Sequence, residues 1–223
     1  MKESRFFQIF EEQNRRGTDL FTVNLVPGKQ VYDEKLLRID NKEYREWNPR
    51  KSKLAAAILK GIGQIGVRPG QVVLYLGASS GTTPSHVSDI LGKDGFMFAL
   101  DFAPRVVRDL VFLCEERKNM CPLLADANKP EEYLGRVCEV DFLYQDIAQR
   151  NQAEIFMKNV DLFLKKDGFA MLCVKARSVD VTADPNYVYK KIKADLEKKY
   201  TMIDWKKLDP FERDHCVFLI KKK

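Results

Sequence analysis

The sequence predicts an α/β protein built on an open parallel sheet, and three observations carry that expectation. First, Val72 to Leu76 is an unbroken apolar run, VVLYL, which stops on Gly77 and opens into the small and hydroxylated ASSGTT. An apolar run without alternation suits a strand covered on both faces, as in a parallel sheet. The following SHVSDILG carries Val87, Ile90 and Leu91 at helical spacing, so Gly77 to Gly81 is expected to form a strand-to-helix turn. Second, strand-like and amphipathic runs alternate beyond it: MFALDF, RVVRDLVFLCEERK, MCPLLAD, VDFLYQD, EIFMKNVDLFLKK and FAMLCVKA. Third, the strand-like runs close on charged residues, Asp101, Asp126, Asp146 and Lys175. In an open parallel sheet ligands bind beyond the carboxyl ends of the strands, so these four are expected to line one crevice. Singly, each aspartate could merely cap the next helix; beside a glycine loop, the site reading is the stronger.

The flanking segments read differently. Residues 1–50 hold short alternating pieces, FTVNLV, QVYDEKLLRI and KEYREW, separated by Pro27-Gly28 and Asp40-Asn41, the pattern of hairpins. They predict a small β-rich N-terminal domain packed on a main domain of residues 51–223. WNPRKSKLAAAILKGI predicts a helix from about Ser52, with Leu54, Ile58 and Leu59 as its buried stripe. Lys53 then falls in the first turn, where the helix dipole disfavours a cation, so it is either solvated or held by a carboxylate or substrate. At the other end, TMIDWKKLDPFERDHCVFLIKK shows two strand-like runs joined through Asp209-Pro210, a terminal antiparallel hairpin with His215 at the start of its second strand.

Composition narrows the function classes. A chain of 223 residues with 45% hydrophobic and 31% charged residues suits one soluble α/β core. No apolar run approaches the roughly 20 residues that span a bilayer, and MKESRFFQIFEEQNRRG lacks the apolar core of a signal peptide. A cytoplasmic location with no membrane association is expected. The five cysteines form no Cys-x-x-Cys pair, which favours reduced thiols, and the two histidines are too few for an ordinary zinc site. The net charge of +6 is uneven: residues 1–53 carry 12 basic and 9 acidic groups, residues 54–189 carry 15 and 17, and residues 190–223 carry 11 and 6. Basic excess at both ends suits flanks that face a polyanion, though a pair of solvated faces would look the same.

Spacing then points to a cofactor. Asp101 lies 20 positions beyond Gly81. A carboxylate at about that distance past the glycine loop, at the end of the second strand, is placed to accept the hydroxyls of a nucleoside ribose. The dinucleotide fingerprint Gly-x-Gly-x-x-Gly is broken here by Ser79 and Thr82. The looser Gly-x-x-x-Gly is the form used with S-adenosylmethionine, which has no pyrophosphate to cradle, so a methyl donor is favoured over a hydride carrier.

The motifs YREWNP, SKLAAAIL, YLGASSGTTPSHVSDI, RVVRDL, LADANKPEEY, YQDIAQ, VKARS and FERDH together resemble fibrillarin, the family of box C/D RNA 2′-O-methyltransferases, in its short archaeal form. The resemblance implies a Rossmann-like S-adenosylmethionine-dependent methyltransferase core with a small β-rich N-terminal domain. It implies guide-directed methylation of ribose hydroxyls on ribosomal and transfer RNA. It also implies partners: a box C/D guide RNA, a coiled-coil Nop-type scaffold subunit and a kink-turn-binding, ribosomal-protein-like subunit. By the same resemblance Gly77, Ala78, Gly81, Thr82, Thr83, Asp101, Phe102, Asp126, Ala127, Asp146, Ile147, Ala148 and Gln149 hold the cofactor, and Lys53, Asp146, Lys175 and His215 form the catalytic group. No metal is implied. Three positions depart from the family pattern: Asp101 stands for the usual glutamate, Arg50 for an aromatic and Arg150 for proline. Two other readings stay open, a protein side-chain (glutamine) methyltransferase and a non-catalytic subunit of an RNA particle.

Overall fold

The computed structural model describes residues 1–15 and 17–223, arranged around two sheets. Toward the N terminus, β1 (Lys2–Glu3), β2 (Ile9–Asn14), β3 (Gly17–Val23), β4 (Leu36–Ile39) and β5 (Lys42–Glu46) form an antiparallel sheet of order β1-β2-β3-β5-β4. Beyond α1 (Lys53–Leu59) the chain alternates: β6 (Val72–Leu76), α2 (Thr82–Leu91), β7 (Phe96–Asp101), α3 (Pro104–Glu116), β8 (Met120–Leu124), a 3-10 turn at Pro130–Arg136, β9 (Val140–Gln145), α4 (Gln152–Phe163) and β10 (Leu164–Lys175). A short α5 (Ala176–Val179), α6 (Pro185–Lys199), β11 (Thr201–Lys207) and β12 (His215–Lys221) complete it. The second sheet has the order β11-β12-β10-β9-β6-β7-β8. Its five strands from β10 to β8 run parallel, while β12 is antiparallel to both β10 and β11. This is the α/β fold with a terminal hairpin that the sequence predicts.

Why β6 is apolar throughout follows from its two faces, since successive side chains point to opposite sides of a sheet. Val73 and Tyr75 join a core with Leu54 of α1, Val87 and Ile90 of α2, and Phe6, Ile9, Leu20 and Trp47 of the N-terminal segment. Leu74 and Leu76 join another with Ile155 and Val160 of α4, Ile192 and Leu196 of α6. The N-terminal sheet therefore shares the interior of the main sheet.

Four details differ from the sequence-based expectation. QVYDEKLLRI is strand only at Leu36–Ile39, because the Glu34 carboxylate accepts from the Val31 and Tyr32 N–H groups and folds that stretch into a turn. In EIFMKNVDLFLKK the helix stops at Phe163, and Leu164 already pairs with Val140 as the first residue of β10. Asp126 lies two residues beyond the end of β8, on the loop, where its carboxylate accepts the Asn128 N–H at 2.9 Å. The helix α6, PNYVYKKIKADLEKK, is mostly polar, and its apolar stripe of Val188, Tyr189, Ile192 and Leu196 is thin; Asp184 caps it by accepting from the Asn186 and Tyr187 N–H groups.

α2 is buried along its whole length from Thr83 to Leu91, because it is sandwiched between the two sheets. Its polar residues consequently need partners, and they find them in the N-terminal segment. Asp89 Oδ2 accepts from Arg45 Nη1 and from Thr22 Oγ1, each at 2.8 Å, and its Oδ1 accepts from Arg117 Nη1 at 2.7 Å. Arg45 Nε also donates to Glu34 Oε1 at 2.6 Å. These four charged side chains are at most 1% exposed and balance to zero. His86 stacks on Trp47 with ring centroids 4.9 Å apart and bonds Thr22 and Tyr32 through its two nitrogens. Burial and the nearby Arg45 and Arg117 charges hold it well below the usual histidine value, hence neutral.

Removing one member of such a cluster leaves the others buried without compensation. Asp89→Ala is expected to cost about 3–5 kcal/mol, the scale for breaking a buried ion pair. Urea unfolding followed by circular dichroism measures it. A change below about 0.5 kcal/mol, the size of an ordinary surface substitution, would show that the cluster does not hold the two sheets together.

Candidate active site

The glycine loop sits where three strands end together. The Gly77 and Ala78 N–H groups both donate to the Leu100 carbonyl at 2.9 Å, and the Asp146 N–H donates to the Leu76 carbonyl at 2.9 Å. These bonds draw the end of β6 against the ends of β7 and β9. Gly77 has φ of +84°, and a Cβ there would lie 2.3 Å from the Asp146 carbonyl oxygen. Only glycine fits at that closeness. Gly81, at the N-cap of α2, needs glycine for a different reason, its φ of +100°, while the Leu113 Cδ2 that a Cβ would meet is the movable end of a side chain.

The three strand ends and their loops surround a cavity of about 250 Å³ lined by Gly77, Ser79, Leu100, Asp101, Phe102, Asp126, Ala127, Asp146, Ile147, Ala148 and Gln149. Nine of the predicted cofactor residues are thus brought together. Ser79 and Leu100 join them without having been predicted: Leu100 reads as strand core, and Ser79 is one small residue among several. Four predicted residues stand outside the lining. Ala78 is buried, Gly81 and Thr82 start α2, and the Thr83 hydroxyl turns away to donate to Ser52 Oγ at 3.0 Å.

Asp101 is held by its own backbone surroundings. Its Oδ2 accepts the Ser79 N–H at 2.9 Å and its Oδ1 the Ala103 N–H at 3.1 Å. An ionised carboxylate offers about four lone-pair positions, so acceptor capacity on both oxygens remains for hydroxyls in the cavity. Beside it Phe102 leaves its ring 64% exposed at the rim, a free aromatic face.

Of the predicted catalytic residues only Asp146 lines the cavity, and through it the cavity meets the charged group. Lys53 Nζ donates to Asp146 Oδ2 at 2.8 Å. Burial works against the lysine's charge, but the attraction of Asp146 and their hydrogen bond outweigh it and hold Lys53 above the ordinary value of 10.5. The position that looked unfavourable for a cation at a helix start is thus compensated by a carboxylate. Lys175 and His215 are direct antiparallel partners at the end of the β10–β12 ladder. Gln152, fully buried, fixes that edge: its Oε1 accepts the Lys175 N–H at 3.3 Å and its Nε2 donates to the Lys175 carbonyl at 3.4 Å. The Lys175 side chain itself is exposed and has no hydrogen bond among the described residues. His215 is nearly buried and gives its Nδ1 proton to the Arg213 carbonyl at 2.7 Å, which leaves Nε2 as an acceptor. Burial first, and the Lys53 charge after it, outweigh that carbonyl and hold His215 below the usual 6.5. Glu212, 3.8 Å from His215 Nδ1, and Gln152 complete the surroundings. Neither was predicted; an acid three residues before the histidine in FERDH was the available signal for Glu212, and none marks Gln152.

Among the described residues no group of acids, cysteines and histidines is placed to hold a metal ion, and no helix is long and apolar enough to cross a membrane. The cavity can take a flat aromatic group against Phe102 and a pair of hydroxyls on Asp101, and one of its walls carries the Asp146 carboxylate that Lys53 holds.

Comparison with known proteins gives a consistent match. The family model "Fibrillarin" covers residues 1–223. A protein of Thermococcus onnurineus named fibrillarin-like rRNA/tRNA 2′-O-methyltransferase is 45% identical over 223 residues, covering 100% of this chain and 99% of its own length. The structure of Aeropyrum pernix fibrillarin with natively bound S-adenosyl-L-methionine superposes with a TM-score of 0.90 at 43% identity, over 98% of this chain and 96% of that one. A fibrillarin solved in complex with Nop5p gives a TM-score of 0.89 at 39% identity, over 99% and 100% of the two chains.

The histidine geometry makes a prediction independent of any ligand. His215 should be the neutral Nδ1–H tautomer at pH 7 and titrate below 6.5. The unfolded chain then takes up the proton first, so this contribution to stability is full above the unfolded value and is lost as pH falls through the folded one. His86 acts with the same sign. Long-range ¹⁵N–¹H spectra across the pH range test this, with His86→Gln separating the two rings; a doubly protonated His215 at pH 7 would contradict it.

Proposed function

The chain belongs to the fibrillarin family, and from that premise we propose that it methylates ribose 2′-hydroxyls of ribosomal and transfer RNA, using S-adenosylmethionine, as the catalytic subunit of a box C/D ribonucleoprotein. The observation that carries this reading is the ion pair that Lys53 makes with Asp146, a lining residue of the Asp101 cavity, with Lys175 and His215 paired across the adjoining strand ends. A methyltransferase for small molecules or protein side chains has no need of a second lysine, Lys175, on the strand next to the Lys53–Asp146 pair; an RNA ribose, flanked by phosphates, does.

The residues present fit the cofactor. Asp101 keeps acceptor capacity for its ribose hydroxyls, Phe102 offers a face for adenine, and Gly77 lets the end of β6 close against the Asp146 backbone to form the cavity wall. Asp126, Ala127, Asp146, Ile147, Ala148 and Gln149 form the remaining wall. When bound, the sulfonium supplies an electrophilic methyl group. The chain's task is to place a weak nucleophile in line with it and to remove its proton. Asp146 orients the ribose hydroxyl through its free acceptor positions while Lys53 keeps the carboxylate fixed. Lys175 stands at the exposed edge over which RNA passes and is the amine assigned to take the hydroxyl's proton. His215, its Nδ1 proton held by the Arg213 carbonyl, keeps Nε2 as an acceptor for the substrate side. Lys53, held charged by Asp146, also supplies positive charge against the phosphates beside the target.

Target choice requires more than this chain. Sequence-selective RNA recognition uses base-reading contacts or exposed aromatic platforms, and the ring exposed at the site, Phe102, belongs to the cofactor cavity. A Nop-type coiled-coil scaffold and a kink-turn-binding subunit hold the guide, whose pairing selects the nucleotide. The protein is expected to dock on the scaffold through a surface away from the carboxyl ends of the strands, which remain open for cofactor and ribose.

Labelled cofactor tests the assignment. With scaffold, kink-turn protein and guide, label should enter the guide-specified ribose, and Lys175→Ala should remove most transfer while cofactor affinity stays nearly unchanged. Label in protein, or site-correct methylation by the isolated chain without a guide, would overturn the reading. For the cofactor itself, Asp101→Ala removes hydrogen bonds to a charged acceptor, worth about 1.5–3 kcal/mol, so the dissociation constant should rise roughly ten- to a hundred-fold. An unchanged constant by calorimetry in a folded variant would refute the ribose role.

A further inference from the structure

Beneath the Lys53–Asp146 pair runs a line of buried hydroxyls that no role above uses. Ser52, 2% exposed, is the N-cap of α1 and immediately precedes Lys53. Its Oγ accepts the Ala55 N–H at 3.4 Å, a long capping bond, and the Thr83 hydroxyl at the shorter 3.0 Å. The Tyr75 hydroxyl lies within hydrogen-bonding reach of both Thr83 and Tyr144. Tyr75 and Tyr144 are partners in the β6–β9 register, with rings stacked at 4.6 Å between centroids. The Tyr144 hydroxyl accepts from Cys173 Sγ at 3.0 Å.

Each member sits beside a residue of the site: Ser52 next to Lys53, Tyr144 two before Asp146, Cys173 two before Lys175. Tyr75, Tyr144 and Cys173 are at most 1% exposed in an otherwise apolar core. A hydroxyl in such a place is stable only while its bonds are made, so the line has little freedom to shift. It also crosses from the sheet, through Thr83 of α2, to the first turn of α1, which has no acidic residue of its own to offset the Lys53 charge. Asp146 holds Lys53 by both ion pair and hydrogen bond, and the geometry of that contact depends on where α1 stands against β9.

We propose that Tyr75 and Ser52 are positioning residues for the methyl transfer: the buried hydroxyl line locks α1 onto the sheet so that Lys53 remains seated on the Asp146 carboxylate. The inference rests on the activity proposed above. Neither residue lines the cavity, so cofactor binding is not their task, and their loss should act on the rate of the chemical step.

Tyr75→Phe and Ser52→Ala, assembled with scaffold, kink-turn protein and guide, provide the test. Single-turnover methylation should fall roughly ten- to a hundred-fold, the scale of a small misplacement of reacting groups. Affinity for S-adenosylmethionine and the apparent KM for RNA should stay within about twofold, an effect confined to kcat. Ser52→Thr, which keeps the oxygen, should restore the rate. A readout without activity accompanies it: the Lys53 ε-carbon signal should titrate above 10.5 in the wild type and move down toward that value in both variants. Wild-type rates in both variants, or a rate loss that tracks lost folding or lost cofactor affinity, would overturn the proposal. Should the wild-type particle itself transfer no methyl group, the activity reading fails on its own, and an unshifted Lys53 titration in the variants would then overturn this inference separately.

Discussion

The approach of Gly77 to the Asp146 carbonyl is the constraint on which the site depends. With 2.3 Å between that oxygen and the place a Cβ would occupy, β6 and β9 can close on each other only at glycine. The closure has two consequences. It bends the chain after Leu76 so that Ser79 presents its N–H to Asp101, fixing the carboxylate at the cavity wall. It also sets Asp146 directly at the end of β9, where Lys53 of α1 can reach it. The Asp101 carboxylate and the Lys53–Asp146 pair are thereby both placed by the closure of β6 on its neighbours.

The N-terminal sheet contributes to the same arrangement. Its residues Arg45 and Thr22 meet Asp89 on α2, and Arg45 also donates to Ser85 Oγ at 3.0 Å, which in turn donates to the Thr82 carbonyl at 2.9 Å. The first turn of α2 is thereby tied to a sheet whose last strand ends at Glu46. A buried pair of arginines against a pair of carboxylates adds little net stability over an apolar core, but it tolerates only one relative placement of its parts. Charge inside the fold here acts as a locating device for the helix that follows the glycine loop.

Much of this was legible in the sequence, and the reasons are specific. β6 and the glycine loop stood out because two-faced burial erases alternation and because small residues replace apolar ones abruptly at Gly77. Asp101, Asp146 and Lys175 were legible as charges closing apolar runs, and Ser52 as the approximate start of the helix that carries LAAAIL. Legibility failed where partners are distant along the chain. Arg45, Asp89 and Arg117 look like ordinary surface charges, and only the folded chain brings them together out of water. α6 was missed because its exposed face is lysine-rich and its buried stripe is thin. The grouping of Lys53 with His215 came from family resemblance, since 162 positions separate them and no periodicity links a helix start to a terminal hairpin. The inward turn of the Thr83 hydroxyl had no signal at all; Thr82 and Thr83 are adjacent and alike, and only packing distinguishes them.

The central claim is that one cavity holds the methyl donor and directs its reactive end at the Lys53–Asp146 pair. A crystal structure of this chain with S-adenosylmethionine tests it most directly. The account predicts the ribose hydroxyls on Asp101, the adenine against Phe102 and the sulfonium methyl facing the edge formed by Asp146, Lys175 and His215. A cofactor seated in the cavity with its methyl group turned away from that edge, or bound elsewhere on the chain, would contradict it.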